Sequence, residues 1–135
     1  MVSAATRLAT QLRIGDLILL SGALGAGKTF FASAVLQALG VQEEVTSPTF
    51  VMMRNYQGRF PINHIDAYRL LDAPNPRKVL DELDFDVDES LTIIEWGAGF
   101  DLTGMALTID IEIGEGESRT LLIKGANWRW SELKL

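Results

Sequence analysis

Gly22-Ala23-Leu24-Gly25-Ala26-Gly27-Lys28-Thr29 gathers glycines, a lysine and a hydroxyl into one short stretch. The order matches G-x-x-x-x-G-K-[ST], and the stretch stands between an apolar run and a segment of helical spacing, the setting that this pattern requires. Without a Cβ, glycine reaches backbone shapes that turn several N–H groups inward, and a helix N-terminus behind them adds partial positive charge. Such a bend is a cradle for phosphate. Lys28 would bring a full charge to the outer phosphates of a nucleotide, and the Thr29 hydroxyl would ligate Mg²⁺. The plain alternative is a glycine turn beside a surface lysine, and the strand-to-helix flanks argue against it.

A site of this kind also needs a carboxylate at the end of a neighbouring strand, to hold the magnesium shell or orient the attacking water. Asp66 closes the run Ile62-Asn63-His64-Ile65, and Glu95 closes Leu91-Thr92-Ile93-Ile94. Both would emerge at the carboxyl end of a strand, where α/β sites form. Either acid also reads as a strand-ending turn residue, and the pattern does not divide the roles between them. Thr46, Ser47 and Thr49 follow the loop helix, where a hydroxyl either meets a γ-phosphate or serves a proline turn. His64 reads as a hydrogen-bonded structural group more readily than as a base, and Trp96, Tyr68, Trp128 and Trp130 read as packing residues. Arg69 and Arg119 touch phosphate on the sharper reading and pair with surface acids on the blander one.

The elements that must position these groups follow from periodicity. Ser3 is placed to cap a first helix whose Ala5, Leu8, Ala9 and Leu12 recur at helical spacing, with Gly15 and Asp16 ending the segment. Leu17 to Leu20 predicts a buried strand, and Phe31, Val35 and Leu39 predict a helix from Thr29 that stops at Gly40. An extended segment from Phe50 to Tyr56 turns at Gln57-Gly58 and returns from Phe60 to Asp66. Pro74 and Pro76 mark a loop, followed by a short acidic helix near Val79 to Leu83. Leu91 to Ile94 predicts a buried strand. Leu107, Ile109, Ile111 and Ile113 alternate with polar residues as a half-buried one, turned at Glu115-Gly116 into Thr120 to Lys124. The expected class is α/β: a single P-loop NTPase-like domain over residues 1–135, with a mixed, mostly parallel sheet flanked by helices and a C-terminal β-hairpin.

Length and charge bound the function. A chain of 135 residues suits one domain that buries roughly two-thirds of the surface its unfolded form exposes. Cysteine is absent and histidine occurs once, which excludes disulfides and thiolate metal sites and leaves little for a histidine-built one. No apolar run approaches the ~20 residues of a membrane span, and no export signal is legible, so a cytoplasmic protein is expected. The net charge is −6 with scattered basic residues, so no positive footprint for nucleic acid is visible and any such role is indirect.

Taken in order, the loop, Ser47-Pro48-Thr49-Phe50, His64-Ile65-Asp66-Ala67-Tyr68-Arg69-Leu70 and Glu95-Trp96 closely resemble the bacterial TsaE family, also called YjeE, from about Thr6 to Arg119. The resemblance implies an ATPase that works with the TsaB and TsaD proteins in making threonylcarbamoyladenosine at position 37 of tRNAs that read ANN codons. In that system carbamoyl transfer belongs to TsaD, and this family supplies a nucleotide-driven step that resets or assembles the complex. It further implies that Gly25, Ala26, Gly27, Lys28 and Thr29 bind the phosphates of ATP or ADP and that Thr29 and Glu95 bind magnesium. Asp66 would act near the water or switch, and Arg119 would lie near the nucleotide. The family usually has aspartate where Ala23 stands and a second threonine where Phe30 stands. A polar contact inside the loop and a hydroxyl beside the α-phosphate are therefore missing. Backbone donors survive both changes, so binding is expected to persist and hydrolysis is the step that the changes would alter.

Two rivals share the loop. A small-molecule kinase would need an acceptor pocket and an arginine-bearing lid, and no arginine cluster supplies one. A nucleotide-occupancy module with negligible hydrolysis is the non-enzymatic reading, favoured by Ala23 and Phe30. A GTPase would need an N-K-x-D segment, and Asn63-His64-Ile65-Asp66 lacks the lysine.

Overall fold

The computed structural model describes residues 2–23, 25–45, 53–68, 74, 88–96, 106–125, 128–131 and 133. The hydroxyl-rich loop at 46–49, Arg69 and the expected acidic helix at 79–83 lie outside them.

Helix α1, Val2–Ala9, buries Ala5, Leu8 and Ala9 along one stripe, as the spacing predicts. Ser3 is not its cap. It lies within the helix, where its Oγ accepts a hydrogen bond from Arg7 at 2.9 Å. The helix also ends earlier than Gly15, where the Thr10 hydroxyl and the Gln11 side-chain Nε2 both donate to the Arg7 carbonyl in the last turn. Asp16 then caps the following turn by accepting from the Arg13 N–H at 2.7 Å.

Strand β1, Leu17–Gly22, runs into the glycine loop, and helix α2, Lys28–Ala38, leaves it. Phe31, Val35 and Leu36 face the core from α2. The Gly40 N–H bonds the Gln37 carbonyl and the Val41 N–H bonds the Leu36 carbonyl, which closes the helix where Gly40 predicts. The remaining strands are β2 (Met53–Gln57), β3 (Pro61–Asp66), β4 (Leu91–Glu95), β5 (Leu107–Ile113) and β6 (Arg119–Gly125). A 3₁₀ turn follows at Trp128–Trp130.

The sheet order is β2-β3-β4-β1-β5-β6. The inner pairings β3–β4, β4–β1 and β1–β5 are parallel, and the outer pairings β2–β3 and β5–β6 are antiparallel. The expected mixed, mostly parallel sheet and C-terminal hairpin are therefore present, although Ile113 ends its strand half exposed, beyond the core. Alternation along the strands builds two apolar layers. Ile18, Leu20, Leu91, Ile93 and Ile109 pack beneath α1 and α2, while Leu17, Leu19, Ile65 and Ile94 face the other way. Both described helices lie on the first face.

The chain's end is tied to its beginning. Arg129 grips Asp16 with two hydrogen bonds of 2.9 and 2.7 Å and donates to the Gln11 carbonyl. Trp130 packs into the core, as expected of it. Among the described residues no helix is long and apolar enough to cross a membrane. Because β1, β3 and β4 are mutually parallel, their carboxyl ends open at one edge, beside the N-terminus of α2.

Candidate functional site

The loop's shape depends on glycine at three points. Gly22 has φ 140°, and a Cβ there would stand 2.5 Å from the Ile111 carbonyl, so the loop can leave the sheet here only without a side chain. Gly27, with φ 106°, is the N-cap residue of α2. Gly25 is also left-handed, at φ 82°. Among the described residues no side chain caps α2, and no acidic residue sits in its first turn. The opening amides of a helix have no carbonyl one turn earlier, so the N–H groups of Lys28, Thr29 and Phe30 and the positive end of the helix are available to an anion. One loop amide is used internally, since the Ala26 N–H bonds the Ala23 carbonyl at 3.0 Å.

Lys28 is buried, unlike a surface lysine. Its ammonium donates to the carbonyls of Gly22 at 2.9 Å and Ala23 at 3.0 Å, and it lies 3.8 Å from the centre of the Trp96 ring. Burial pushes its pKa below the ordinary lysine value, and the nearby charges of Glu95 and Asp66 oppose that shift.

Thr29 and Glu95 meet directly. The Thr29 hydroxyl lies 2.9 and 3.0 Å from the two Glu95 carboxylate oxygens, and Glu95 is 3% exposed. Asp66 is the register partner of Glu95 on the adjacent strand, so both side chains leave the same face. The Asp66 Oδ1 accepts from the Tyr68 N–H at 3.0 Å, which turns the chain after β3. Arg119 also reaches the loop: its Nε donates to the Ala26 carbonyl at 3.1 Å, and its Nη1 donates to the Ser118 carbonyl at 2.8 Å.

Gly22, Gly25, Ala26, Gly27, Lys28, Thr29, Asp66, Glu95 and Arg119 are thus gathered at one edge of the sheet. Phe30 shares only its backbone N–H with them, and its side chain is set apart. Its side chain is 56% exposed and lines a groove with Val2 and Thr6 of α1. The segment Asn63-His64-Ile65-Asp66 is a buried stretch of β3.

Two contacts were not legible in the spacing. His64 is fully buried and hydrogen-bonded, as expected, but its partner is Glu95, at 2.6 Å. Trp96, expected to pack, does so against Tyr68 and also over the Lys28 ammonium. The parity of β3 was the available signal for His64, since residues i and i+2 share a face and Asp66 was already a candidate.

Hydroxyl and carboxylate oxygens are hard donors suited to Mg²⁺, so Thr29, Glu95 and Asp66 fit that ion chemically. The fold and site define a mixed α/β protein whose glycine loop, buried lysine and paired acids converge at the carboxyl edge of its sheet. The chain belongs to the TsaE family: the family model for threonylcarbamoyl adenosine biosynthesis protein TsaE matches residues 1–121. It is 41% identical to a tRNA threonylcarbamoyladenosine biosynthesis protein TsaE of Streptomyces coelicolor, covering 93% of this chain and 90% of that one. The protein of the same name from Mycobacterium leprae is 39% identical, covering 96% and 84%. Among solved structures, the crystal structure of Bacillus subtilus YdiB superposes with a TM-score of 0.78 at 27% identity, covering 98% of this chain and 82% of that one.

Proposed function

We propose that this chain is a P-loop ATPase that binds ATP and ADP with Mg²⁺ at Gly22 to Thr29 and acts in forming threonylcarbamoyladenosine on tRNA. The names of its relatives support the pathway. The uncapped N-terminus of α2, faced by a left-handed glycine turn and a buried lysine, carries the nucleotide reading.

Each residue then has a task. The amides of Gly25 and of Gly27 to Phe30 bind phosphate oxygens, and Lys28 exchanges the Gly22 and Ala23 carbonyls for the outer phosphates. The Thr29 hydroxyl donates its hydrogen bond to Glu95, which would leave its lone pairs for the metal. Magnesium, when bound with the nucleotide, neutralises charge on the β- and γ-phosphate oxygens. Asp66 stands beside Glu95 to orient the attacking water, and Arg119 holds the loop through Ala26.

In this reading the protein hydrolyses ATP slowly alone and acts on a TsaB–TsaD complex in the cytoplasm. It meets the tRNA, modified at position 37, only through those partners, in keeping with its net charge of −6. A nucleotide-occupancy module is the second reading, favoured by the exposed position of Phe30 and by Lys28 resting on the loop's own carbonyls. Calorimetric titration with ATP and ADP, with and without Mg²⁺, tests binding. Phosphate release with and without TsaB and TsaD separates the two readings: stimulation in the complex favours the ATPase. Wild-type protein that takes up neither nucleotide in the presence of Mg²⁺ refutes both.

A further inference from the structure

Asp66 and Glu95 are register partners on neighbouring parallel strands, roughly 4.8 Å apart along the hydrogen-bonding direction, with side chains on one face. Two carboxylates so placed repel, and nothing in their own chemistry gives them different work. Their hydrogen bonds nevertheless differ. The Asp66 Oδ1 turns to the Tyr68 amide at the strand end. Glu95 leans the opposite way, back along the sheet, to the Nε2 of His64, which lies two residues before Asp66 on the same strand. The contact is 2.6 Å, and both residues are buried. An attractive bond at that distance to a carboxylate places a hydrogen on Nε2.

We propose that His64 is a positioning residue that draws Glu95 away from Asp66 and onto Thr29, so that Glu95 serves the magnesium shell and Asp66 is left to the water. The inference rests on the proposed nucleotide and magnesium site. With His64 holding Oε2, the carboxylate is presented to the Thr29 hydroxyl through both oxygens, at 2.9 and 3.0 Å. A histidine acting one step behind a metal-shell carboxylate tunes metal affinity while leaving direct phosphate contacts alone. Among the described residues the buried Nδ1 of His64 has no hydrogen-bond partner, so the ring is anchored there through its bond to Glu95.

The test compares wild type with H64L, which keeps an apolar side chain of similar bulk, and H64Q, whose amide nitrogen reaches the place of Nε2. ADP affinity is measured in EDTA, and Mn²⁺ affinity is measured on ADP-loaded protein by electron paramagnetic resonance. H64L should lose about ten- to a hundredfold in Mn²⁺ affinity, with ADP affinity in EDTA unchanged, and H64Q should recover most of the loss. Wild-type Mn²⁺ affinity in H64L overturns the proposal. So does an equal loss of ADP affinity in EDTA, which is the mark of a purely structural role.

A second measurement needs no variant. The chain has one histidine, so the imidazole signals of ¹⁵N-labelled wild type belong to His64. A hydrogen-bonded Nε2–H that persists on adding ADP and Mg²⁺ supports the proposal. A bare Nε2, or a bond lost on loading, overturns it even if H64L does not fold. Wild type that binds neither ADP nor Mn²⁺ overturns the nucleotide site itself, whereas failure confined to the variant comparison or the imidazole spectrum leaves that site standing.

Discussion

The Lys28 ammonium lies 3.8 Å from the centre of the Trp96 ring, and Trp96, alone among the described non-glycine residues, has a positive φ, of 63°. A left-handed backbone at a large side chain costs about 1–2 kcal/mol. It is held by the Trp96 N–H, which bonds the Leu20 carbonyl at 2.7 Å, and by the Tyr68 ring, 4.9 Å away. The first residue after β4 is thus strained in a way that places its ring over the lysine.

Replacing Trp96 separates strain from contact. Both Trp96→Ala and Trp96→Gly remove the ring, but only glycine accepts the backbone without penalty. In urea unfolding, Trp96→Gly should be more stable than Trp96→Ala by about 1 kcal/mol. Equal stability would show that the backbone relaxes once the ring is gone.

Lys28 links the site to pH. Burial sets its folded pKa below the ordinary 10.5, so the unfolded chain keeps this proton to a higher pH than the folded chain does. Stability attributable to this group therefore rises as pH climbs from the folded value toward 10.5, and the desolvation penalty is at full size below that window. Lys28→Met removes the group. Its urea midpoint relative to wild type should be most favourable near neutral pH, and the advantage should shrink as pH nears 10.5. A difference that stays flat across that range would contradict the burial argument. The same variant should lose nucleotide-dependent phosphate release while remaining folded.

Local patterns carried much of this architecture. The loop, the strand before it and the helix after it are legible because glycine spacing and apolar periodicity act over a few residues. The acids at the ends of β3 and β4 are legible for the same reason. What was hidden depends on register between distant segments. His64 and Glu95 are 31 residues apart and meet only because β3 pairs with β4 in one register. Asp16 and Arg129, 113 residues apart, have no local signature at all. Ser3 misled because a serine near a helix start has two uses, and here it serves Arg7 within the helix.

The glycines of the loop are not equivalent. A Cβ on Gly22 would meet the Ile111 carbonyl at 2.5 Å and Ala26 Cβ at 3.3 Å, whereas one on Gly25 meets nothing within 4 Å. Gly22→Ala must part β1 from β5 and should cost about 2–4 kcal/mol in urea unfolding. Gly25→Ala meets only the left-handed backbone and should cost about 1–2 kcal/mol. If the two variants lose the same stability, the Ile111 contact is not what requires glycine at position 22.

Arg119 acts on the loop across 93 residues of sequence through its bond to the Ala26 carbonyl. With that carbonyl held, the peptide group that joins Ala26 to Gly27 keeps its N–H side turned for phosphate. Arg119→Met loses a charge-assisted hydrogen bond worth about 1.5 kcal/mol, which corresponds to roughly tenfold in nucleotide affinity if the loop must be re-ordered on binding. Arg119→Lys should not restore it, because one ammonium cannot reproduce the fork that reaches Ala26 and Ser118 together. The role also predicts a pattern across ligands. A residue that shapes the loop weakens ADP and ATP alike, whereas one that touches the outer phosphate weakens ATP far more. Calorimetric titration of both nucleotides against Arg119→Met should give equal losses, and a loss confined to ATP would move Arg119 from the loop to the γ-phosphate.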